Sequence, residues 1–310
     1  MKIYNYKPGV QIGEKTAVAL GYFDGVHAGH RRLLATAKRV AKEKGLLFTV
    51  FTFSAKVGVK ENRLIYSNEQ KLSLFESLGV EAVVLTDFAD ISGISSKDFV
   101  LKCLFKDMGC RAAIAGFDFR YGKGRTGDIA SLKNELSDLG ASCVIEPEHK
   151  IKGEKISSSK IKELLALGKV EAAREFLGHP YQLICEVEHG RGIGRKLGFP
   201  TVNTRLSLDR AELLRGVYRT AVEISGNLYT GVTNVGTCPT FEERNVHAET
   251  YIVGYSGVLY GKKIKILFLG RLRDEKKFDS AEELIMQIEV DKNRAIKENG
   301  ELTWQEIGQN

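Results

Sequence analysis

The stretch Ala17-Val18-Ala19-Leu20-Gly21-Tyr22-Phe23-Asp24-Gly25-Val26-His27-Ala28-Gly29-His30 carries the decisive pattern of this chain. Its four leading apolar residues read as the end of a buried strand, and a helical pattern starts at Gly29. Between them Gly21 and Gly25 let the backbone turn tightly and approach a ligand closely. His27 and His30 are three apart at the helix start, so both imidazoles can face one point. That point also receives free N–H groups and the positive end of the helix dipole, which together make an anion site. Imidazoles placed there can donate hydrogen bonds to a phosphate as charge develops in a transition state. Two other readings of the pair are zinc ligation and unrelated surface histidines. Zinc would require further ligands that the neighbouring sequence does not offer.

Working outward, the first half alternates strand-like and helix-like segments. Strands are expected over 17–20, 46–53, 82–86, 112–115 and 142–145, and helices over 29–44, 69–78, 97–107 and 129–139. Such alternation implies parallel strands with crossover helices on both faces, and ligands at the carboxyl ends of the strands. Gly122-Lys123-Gly124-Arg125-Thr126-Gly127 fits the G-x-G-x-x-G spacing, but residues 116–121 separate it from the preceding strand. A dinucleotide fingerprint should follow its strand directly, so a glycine-rich loop is the better reading. No Walker A sequence is present.

Beyond 157–159 two short amphipathic helices are expected over 160–167 and 170–177, and Gly178-His179-Pro180 ends the pattern. Alternating β-type segments follow over 183–188, 217–225, 228–235, 248–253 and 263–269, with Gly226-Asn227 as a hairpin signal. These predict antiparallel strands in a barrel or sandwich. A long helix starts near 281, with Ser280-x-x-Glu283 as a capping box. The expected domains are therefore 1–180 and 181–310, which suits a length of 310 residues.

Composition narrows the class. A hydrophobic fraction of 43% and a charged fraction of 27% exclude disordered and collagen-like chains. The longest run of apolar and Thr residues, 46–53, falls far short of the ~20 residues that cross a bilayer, and the first ten residues lack an apolar signal region. Five cysteines without a C-x-x-C pair read as reduced thiols. The expectation is a soluble, cytoplasmic protein. Its 46 basic against 39 acidic residues leave +7. That surplus serves either a nucleic-acid strand or polyphosphate substrates, and charge alone does not choose.

In the second half, Gly190-Arg191-Gly192-Ile193-Gly194-Arg195-Lys196-Leu197-Gly198-Phe199-Pro200-Thr201-Val202-Asn203 combines close-approach glycines with three cations. Thr201 and Asn203 are two apart, so on an extended segment both point to one side. Hard oxygens beside phosphate suit Mg²⁺. By residues alone, a basic glycine-rich hairpin is an equal reading.

The first constellation resembles the H-x-G-H signature of the nucleotidyltransferase superfamily. The longer string from Gly21 to His30 is similar to one branch, the bifunctional riboflavin kinase/FAD synthetases of bacteria. Gly116-Phe117-Asp118-Phe119-Arg120-Tyr121-Gly122 and Ile156-Ser157-Ser158-Ser159-Lys160-Ile161-Lys162 resemble two further motifs of that family. The resemblance implies that FMN attacks the α-phosphorus of ATP. His27 and His30 would stabilise the α-phosphate, with Gly21, Phe23, Asp24 and Gly25 in the nucleotide-binding turn. Ser158, Ser159 and Lys162 would hold the β- and γ-phosphates, and Asp118 and Arg120 would lie near the nucleotide or the flavin phosphate.

In the second half the glycine loop is similar to the G-x-G-R-x-L-G-F-P-T-x-N signature of the riboflavin kinase module. Further matches run through Gly231–Gly236 as G-V-T-N-V-G, Pro239-Thr240-Phe241, Glu249-Thr250-Tyr251-Ile252, Leu259-Tyr260-Gly261 and Arg273-Asp274-Glu275. They imply Glu249 as the general base for the riboflavin 5′-hydroxyl and Thr201 and Asn203 as Mg²⁺ ligands. Gly192, Gly194, Arg195, Lys196 and Arg273 would contact ATP or flavin. The implied fold is a Rossmann-like α/β nucleotidyltransferase domain followed by an antiparallel β-barrel kinase domain with a C-terminal helix. The implied partners are the small molecules riboflavin, FMN and ATP, with no nucleic acid and no membrane.

The chain departs from the family pattern at Tyr22, where Asn is usual, and at Phe53-Ser54-Ala55-Lys56, where F-x-P-H-P is usual. Ser159 replaces Thr, and Lys162 replaces Arg, which differs at a bidentate phosphate site. These departures motivate a second reading, a riboflavin kinase whose first domain has drifted. A nucleic-acid-binding protein is a third, motivated by the basic charge.

Overall fold

A computed structural model of the chain describes residues 1–54, 63–190, 194, 197–207, 209–237 and 246–300. Two compact units emerge, one of Met1–Asn62 with Ser67–Ile156, the other of Arg63–Tyr66 with Ser157–Asn310.

The first unit is built on six strands, β1 (Lys2–Asn5), β2 (Thr16–Leu20), β3 (Leu47–Phe53), β4 (Ala82–Thr86), β5 (Cys110–Gly116) and β6 (Ser142–Glu146). They lie in the order β1-β4-β3-β2-β5-β6, and every pairing is parallel. β2 is buried at every position, as expected for a strand covered on both faces. Around the sheet run α1 (Ala28–Lys44), α2 (Asn68–Ser77), α3 (Phe88–Ile91), α4 (Ser96–Asp98) and α5 (Ile129–Asp138). α4 continues into a π-wound helix over Phe99–Asp107. α1 buries Leu33, Leu34, Ala37, Val40 and Ala41, the spacing of one helical face, and stops at Gly45 with φ 61°. A two-stranded ribbon, β7 (Lys150–Ile151) with β8 (Glu154–Lys155), closes the unit.

β1 was not expected. It is a short edge strand whose Ile3 is 50% exposed, so it carries no buried pattern to read. From β2 the chain builds outward through β3 and β4, then returns to the other side of β2 with β5. The sheet therefore has its switch point at β2, and the crevice of such sheets opens at the carboxyl ends there.

The second unit begins with α6 (Ser158–Ala166) and α7 (Val170–Leu177). Its strands are β9 (Tyr181–Glu186), β10 (Thr201–Leu206), β11 (Gly216–Ile224), β12 (Asn227–Thr237), β13 (Val246–Ile252) and β14 (Lys263–Arg273). They pair antiparallel in the order β10-β13-β12-β11-β14-β9. A bridge between Glu188 and Asn203 joins the chain beyond β9 to β10, curling the sheet towards closure. Inside, the buried hydroxyls of Thr220, Thr233 and Thr250 form a row with spacings of 2.9 and 2.9 Å. The hydrogen bonds among them offset the cost of taking three hydroxyls out of water.

Two local expectations are corrected. The hairpin turn is Ser225-Gly226, with φ 51° and 81°, and Asn227 already pairs with Ile224. A two-residue primed turn requires positive φ at both central residues, and the twist of the strands enforces it even on Ser225. At the C-terminal helix, α8 (Ala281–Gly300), Ser280 Oγ accepts from the Glu283 N–H at 3.2 Å. The Glu283 carboxylate reaches the Asp279 N–H instead of the Ser280 N–H, so only half of the capping box forms.

The composition change read near 180 and the division between compact units at 156/157 differ by α6 and α7, which pack with the barrel. The second unit also takes in 63–66. Leu64 N–H donates to the Asp209 carbonyl at 2.9 Å, and the Tyr66 ring stacks on Tyr181 at 5.9 Å.

α8 is held to the barrel by charge. Arg273 Nε and Nη2 reach the buried Asp291 carboxylate at 3.0 and 2.8 Å, and Asn299 Nδ2 donates to the Thr220 carbonyl at 2.9 Å. Asp291→Ala leaves the Arg273 guanidinium partly buried without its counter-ion. The expected loss is about 3 kcal/mol, read as a lower unfolding temperature of the second unit by calorimetry.

Candidate active sites

In the first unit the turn after β2 carries the geometry. Phe23, Gly25 and Val26 all have positive φ, at 54°, 80° and 41°. Such backbone is costly for a β-branched valine, of order 1–3 kcal/mol, and persists only where the surroundings over-determine it. Phe23 is fully buried, with its ring against Phe75 at 5.6 Å and against His30 at 5.1 Å. A methyl group on Gly21 would meet the Phe23 ring at 3.0 Å, so that glycine is a packing requirement. Asp24 is buried beside it.

The turn delivers His27 to the N-cap of α1, where its Nδ1 accepts the His30 N–H at 3.3 Å. An accepting Nδ1 puts the proton of the neutral ring on Nε2. The His27 and His30 rings stack with centroids 3.5 Å apart and planes 10° apart. The two imidazoles are thus brought to one point, as the spacing implied. His30 Nδ1 is buried with no hydrogen-bond partner. Burial pushes the His27 ring down to about 4, against smaller opposing effects of its backbone hydrogen bond and of Asp118. Burial, then His27, then Lys71 hold His30 well below the usual imidazole range. Both rings are therefore neutral hydrogen-bonding groups at pH 7 in the free protein.

His30 opens onto a crevice of about 630 Å³ at the switch point, lined also by Gly21 and Tyr22 and by Asp118, Arg120 and Tyr121. The two motifs quoted from the sequence thus meet because they follow neighbouring strands, β2 and β5. Phe51, Phe53, Phe88 and Phe119 make the remaining wall apolar and aromatic. Asp118 pairs with Lys155 at 3.1 Å, and Arg120 with Asp128 at 3.4 Å, both exposed. The glycine-rich loop 122–127 is a turn, with Arg125 N–H on the Gly122 carbonyl at 2.9 Å. The following helix, α5, is capped by the Asp128 carboxylate, which disfavours a phosphate there.

The remaining phosphate-motif residues lie in the second unit. Ser157 is the N-cap of α6, accepting the Lys160 N–H at 3.3 Å, so Ser158 and Ser159 occupy the first turn and Lys162 the second.

In the barrel, register assembles the second site. Asn203 on β10 and Asn234 on β12 both lie directly opposite Glu249 on β13. The three form a cross-strand row with Glu249 in the middle, where side chains are neighbours. Ala248 and Thr250 are buried and Glu249 is exposed, so the row is on the outer face. Thr201, two before Asn203, shares that face. Gly190 and Gly194 pack on these residues. A Cβ on Gly190 would strike the Asn203 amide, and one on Gly194 would come within 3.2 Å of Thr201 Oγ1. Hydroxyl and amide oxygens beside a carboxylate and glycine backbone fit a hard cation that keeps waters.

Gly192, Arg195 and Lys196, with Pro239-Thr240-Phe241, lie outside the described residues. Arg273 is committed to Asp291 and to the Asp274 carbonyl at 3.0 Å. Among the described residues, no group of three His, Cys, Asp or Glu is placed to hold a metal ion. Sequence reasoning passed over Asn234 as a site residue, although it stands in a quoted motif. It also passed over Lys71, a buried lysine on the same helix face as Leu74 and Phe75. A cation within an apolar face was the available signal.

Two phosphate-suited sites on two unlike architectures define the class: a two-unit enzyme of nucleotide chemistry. Residues 10–160 match the family model described as FAD synthetase, and residues 177–298 match that described as riboflavin kinase. A Bacillus subtilis (strain 168) protein named bifunctional riboflavin kinase/FMN adenylyltransferase is 39% identical over 91% of this chain and 92% of its own. One of the same name from Escherichia coli (strain K12) is 30% identical over 93% and 94%. A crystal structure described as a macrolide-efflux protein from Streptococcus pneumoniae shares the fold, with TM-score 0.85 and 28% identity over 95% of this chain and 99% of that one. No helix among the described residues is long and apolar enough to cross a membrane. This chain belongs to the bifunctional riboflavin kinase/FMN adenylyltransferase family.

The histidine pair gives a measurable pH signature. Folding lowers the His27 value from 6.5 to about 4, so the unfolded chain binds the proton more readily. Stability is complete above pH 6.5 and declines as pH falls towards about 4. Imidazole NMR is expected to show His27 neutral at pH 6 and titrating near 4. A midpoint near 6.5 for His27 contradicts the buried, stacked geometry.

Proposed function

We propose that the chain phosphorylates riboflavin to FMN with ATP, then adenylylates FMN to FAD with release of pyrophosphate. The observation that carries this reading is that the two family models match separate halves of the chain, each with phosphate-suited residues of its own. In this reading 1–180 carries adenylyl transfer and 181–310 the kinase.

In the kinase site, Glu249 takes the proton of the ribityl 5′-hydroxyl as that oxygen attacks the γ-phosphorus, and ADP leaves. General-base assistance of this kind is worth about 10²–10⁴ in rate. Thr201 and Asn203 would hold Mg²⁺, which supplies neutralisation of polyphosphate charge when bound. The cross-strand row holds Glu249 beside them, and Gly190 and Gly194 let the loop backbone approach the same point. In this reading Gly192, Gly194, Arg195, Lys196 and Arg273 contact ATP or flavin.

In the first unit a phosphate oxygen of FMN attacks the α-phosphorus of ATP, and the bond to the leaving pyrophosphate breaks. His27 donates from Nε2–H and His30 from its ring N–H to the α-phosphate, beside the first N–H groups of α1. The strained turn from Gly21 to Gly25 sets their position. The aromatic wall of the crevice suits the flat isoalloxazine ring. Asp118 and Arg120 meet the nucleotide or flavin phosphate. For Ser158, Ser159 and Lys162, at the start of α6, the family resemblance implies a role with the β- and γ-phosphates. The kinase-only reading rested on Tyr22, Lys162 and the missing F-x-P-H-P. It is disfavoured by the FAD synthetase match and by the bifunctional relatives over nine-tenths of the chain. A cytoplasmic location accompanies the proposal, supported by free thiols at Cys103, Cys110, Cys143 and Cys185.

Two variants separate the sites. Glu249→Gln is expected to lower FMN formation by roughly a hundredfold or more while sparing FAD formation from supplied FMN. His27→Ala is expected to do the reverse, at a folding cost of about 1 kcal/mol for the lost cap. Chromatography of the flavin products reads both. Loss of both activities in either folded variant contradicts two separate sites.

A further inference from the structure

Outside the residues assigned a role above, the first unit buries a cation behind the adenylyl-transfer crevice. Lys71 on α2 is only 6% exposed. Its Nζ donates to the Phe53 carbonyl at 2.7 Å and to Thr52 Oγ1 at 3.3 Å. Thr52 Oγ1 donates onward to the Tyr22 carbonyl at 2.9 Å. The same ammonium lies 5.7 Å from the centre of the Tyr22 ring, and the Tyr22 and Phe53 rings are 6.0 Å apart. Tyr22 and Phe53 both line the crevice, whereas Lys71 stands behind them.

One ammonium therefore ties together the carboxyl ends of β2 and β3, neighbouring strands on one side of the switch point. A methionine or leucine could fill that space without the penalty of several kcal/mol that burying an ion brings. A charge kept there points to a use for the charge. The ionisable groups facing it are Asp24 of the turn, His30 of α1 and the Tyr22 phenol. Asp24 favours the ammonium, burial opposes it, and Lys71 in turn favours a neutral His30.

We infer that Lys71 is a positioning residue of the adenylyl-transfer site. Its ammonium clamps the strand ends behind Tyr22 and Phe53 and supplies fixed positive charge to a crevice that receives nucleotide phosphates. The inference rests on the adenylyl-transfer reading of this unit. It assigns no contact between Lys71 and substrate; the residue acts through Tyr22, Phe53 and His30. Because burial pulls the lysine down to about 8, the charge is lost in a pH range where enzyme assays are practical.

The test uses the full chain as wild type, Lys71→Met and Lys71→Arg. FAD formation from FMN is followed from about pH 6.5 to about 9.5, with FMN formation from riboflavin as the control for the other unit. In the wild type kcat/KM for FAD formation is expected to fall as pH rises through about 8. Lys71→Met is expected to be lower by roughly tenfold or more and to show no such limb. Lys71→Arg is expected to regain part of the activity with the limb moved out of range, because a guanidinium stays charged. FMN formation stays unchanged in all three.

Activity of Lys71→Met within about threefold of wild type overturns the inference, as does a limb that stays in place in Lys71→Arg. Should Lys71→Met unfold its unit, the pH profile of Lys71→Arg decides alone, because a purely structural lysine leaves that limb unmoved. A wild type that makes FMN but no FAD overturns the reading of the site, and the inference with it. An active wild type with an unmoved limb overturns the inference only.

Discussion

The arrangement of the first unit's site depends on the hydrogen bond from the His30 N–H to His27 Nδ1, 3.3 Å long. That bond closes the start of α1 and fixes which nitrogen of His27 carries the proton. It also holds the two rings in a stack at 3.5 Å. Two charged imidazoles would repel at that separation, so the stack persists because burial keeps both neutral. The left-handed residues Phe23, Gly25 and Val26 are what bring His27 to the cap. Their strain is held in place by Phe23, packed between His30 and Phe75. Core packing, backbone strain and protonation state are thus one linked arrangement.

The barrel reaches a comparable result through register. Asn203, Glu249 and Asn234 are adjacent because three antiparallel strands are paired residue for residue. Shifting β13 by one residue would turn Glu249 into the core and bring Ala248 or Thr250 to the outer face. The buried hydroxyl row of Thr220, Thr233 and Thr250 guards against that slip, since each hydroxyl is satisfied only in this register. Gly190 and Gly194 then lie directly on Asn203 and Thr201. The same alternation that makes a sheet fold supplies the placement of the proposed base and cation ligands.

Much of this was legible in the sequence, for identifiable reasons. A parallel strand buried on both faces announces itself as an apolar run, so β2 to β5 could be read, and the half-buried edge strand β6 was legible through Cys143-Val144-Ile145. β1 could not, because an edge strand with an exposed Ile3 has no such run. The histidine spacing foretold a shared focus, although not that His27 would serve as its own helix cap. The hairpin turn was misplaced by one residue because glycine is visible in a sequence while a serine forced into positive φ is not. Residues 63–66 join the second unit through backbone hydrogen bonds, which leave no trace in side-chain pattern. Arg273 stood in a quoted motif, yet its partner Asp291 lies 18 residues away and is known only once α8 is packed. Lys71 was overlooked because a lysine on a helix reads as solvent-facing until the fold buries it.

The central claim is that one chain performs phosphoryl transfer and adenylyl transfer at separate sites. Phosphorus NMR of the full chain with riboflavin and ATP-Mg²⁺ tests it most directly, because the two steps release different products. For each FAD formed, the account predicts one ADP and one pyrophosphate, with FMN rising before FAD. ADP and FMN accumulating without pyrophosphate would contradict it.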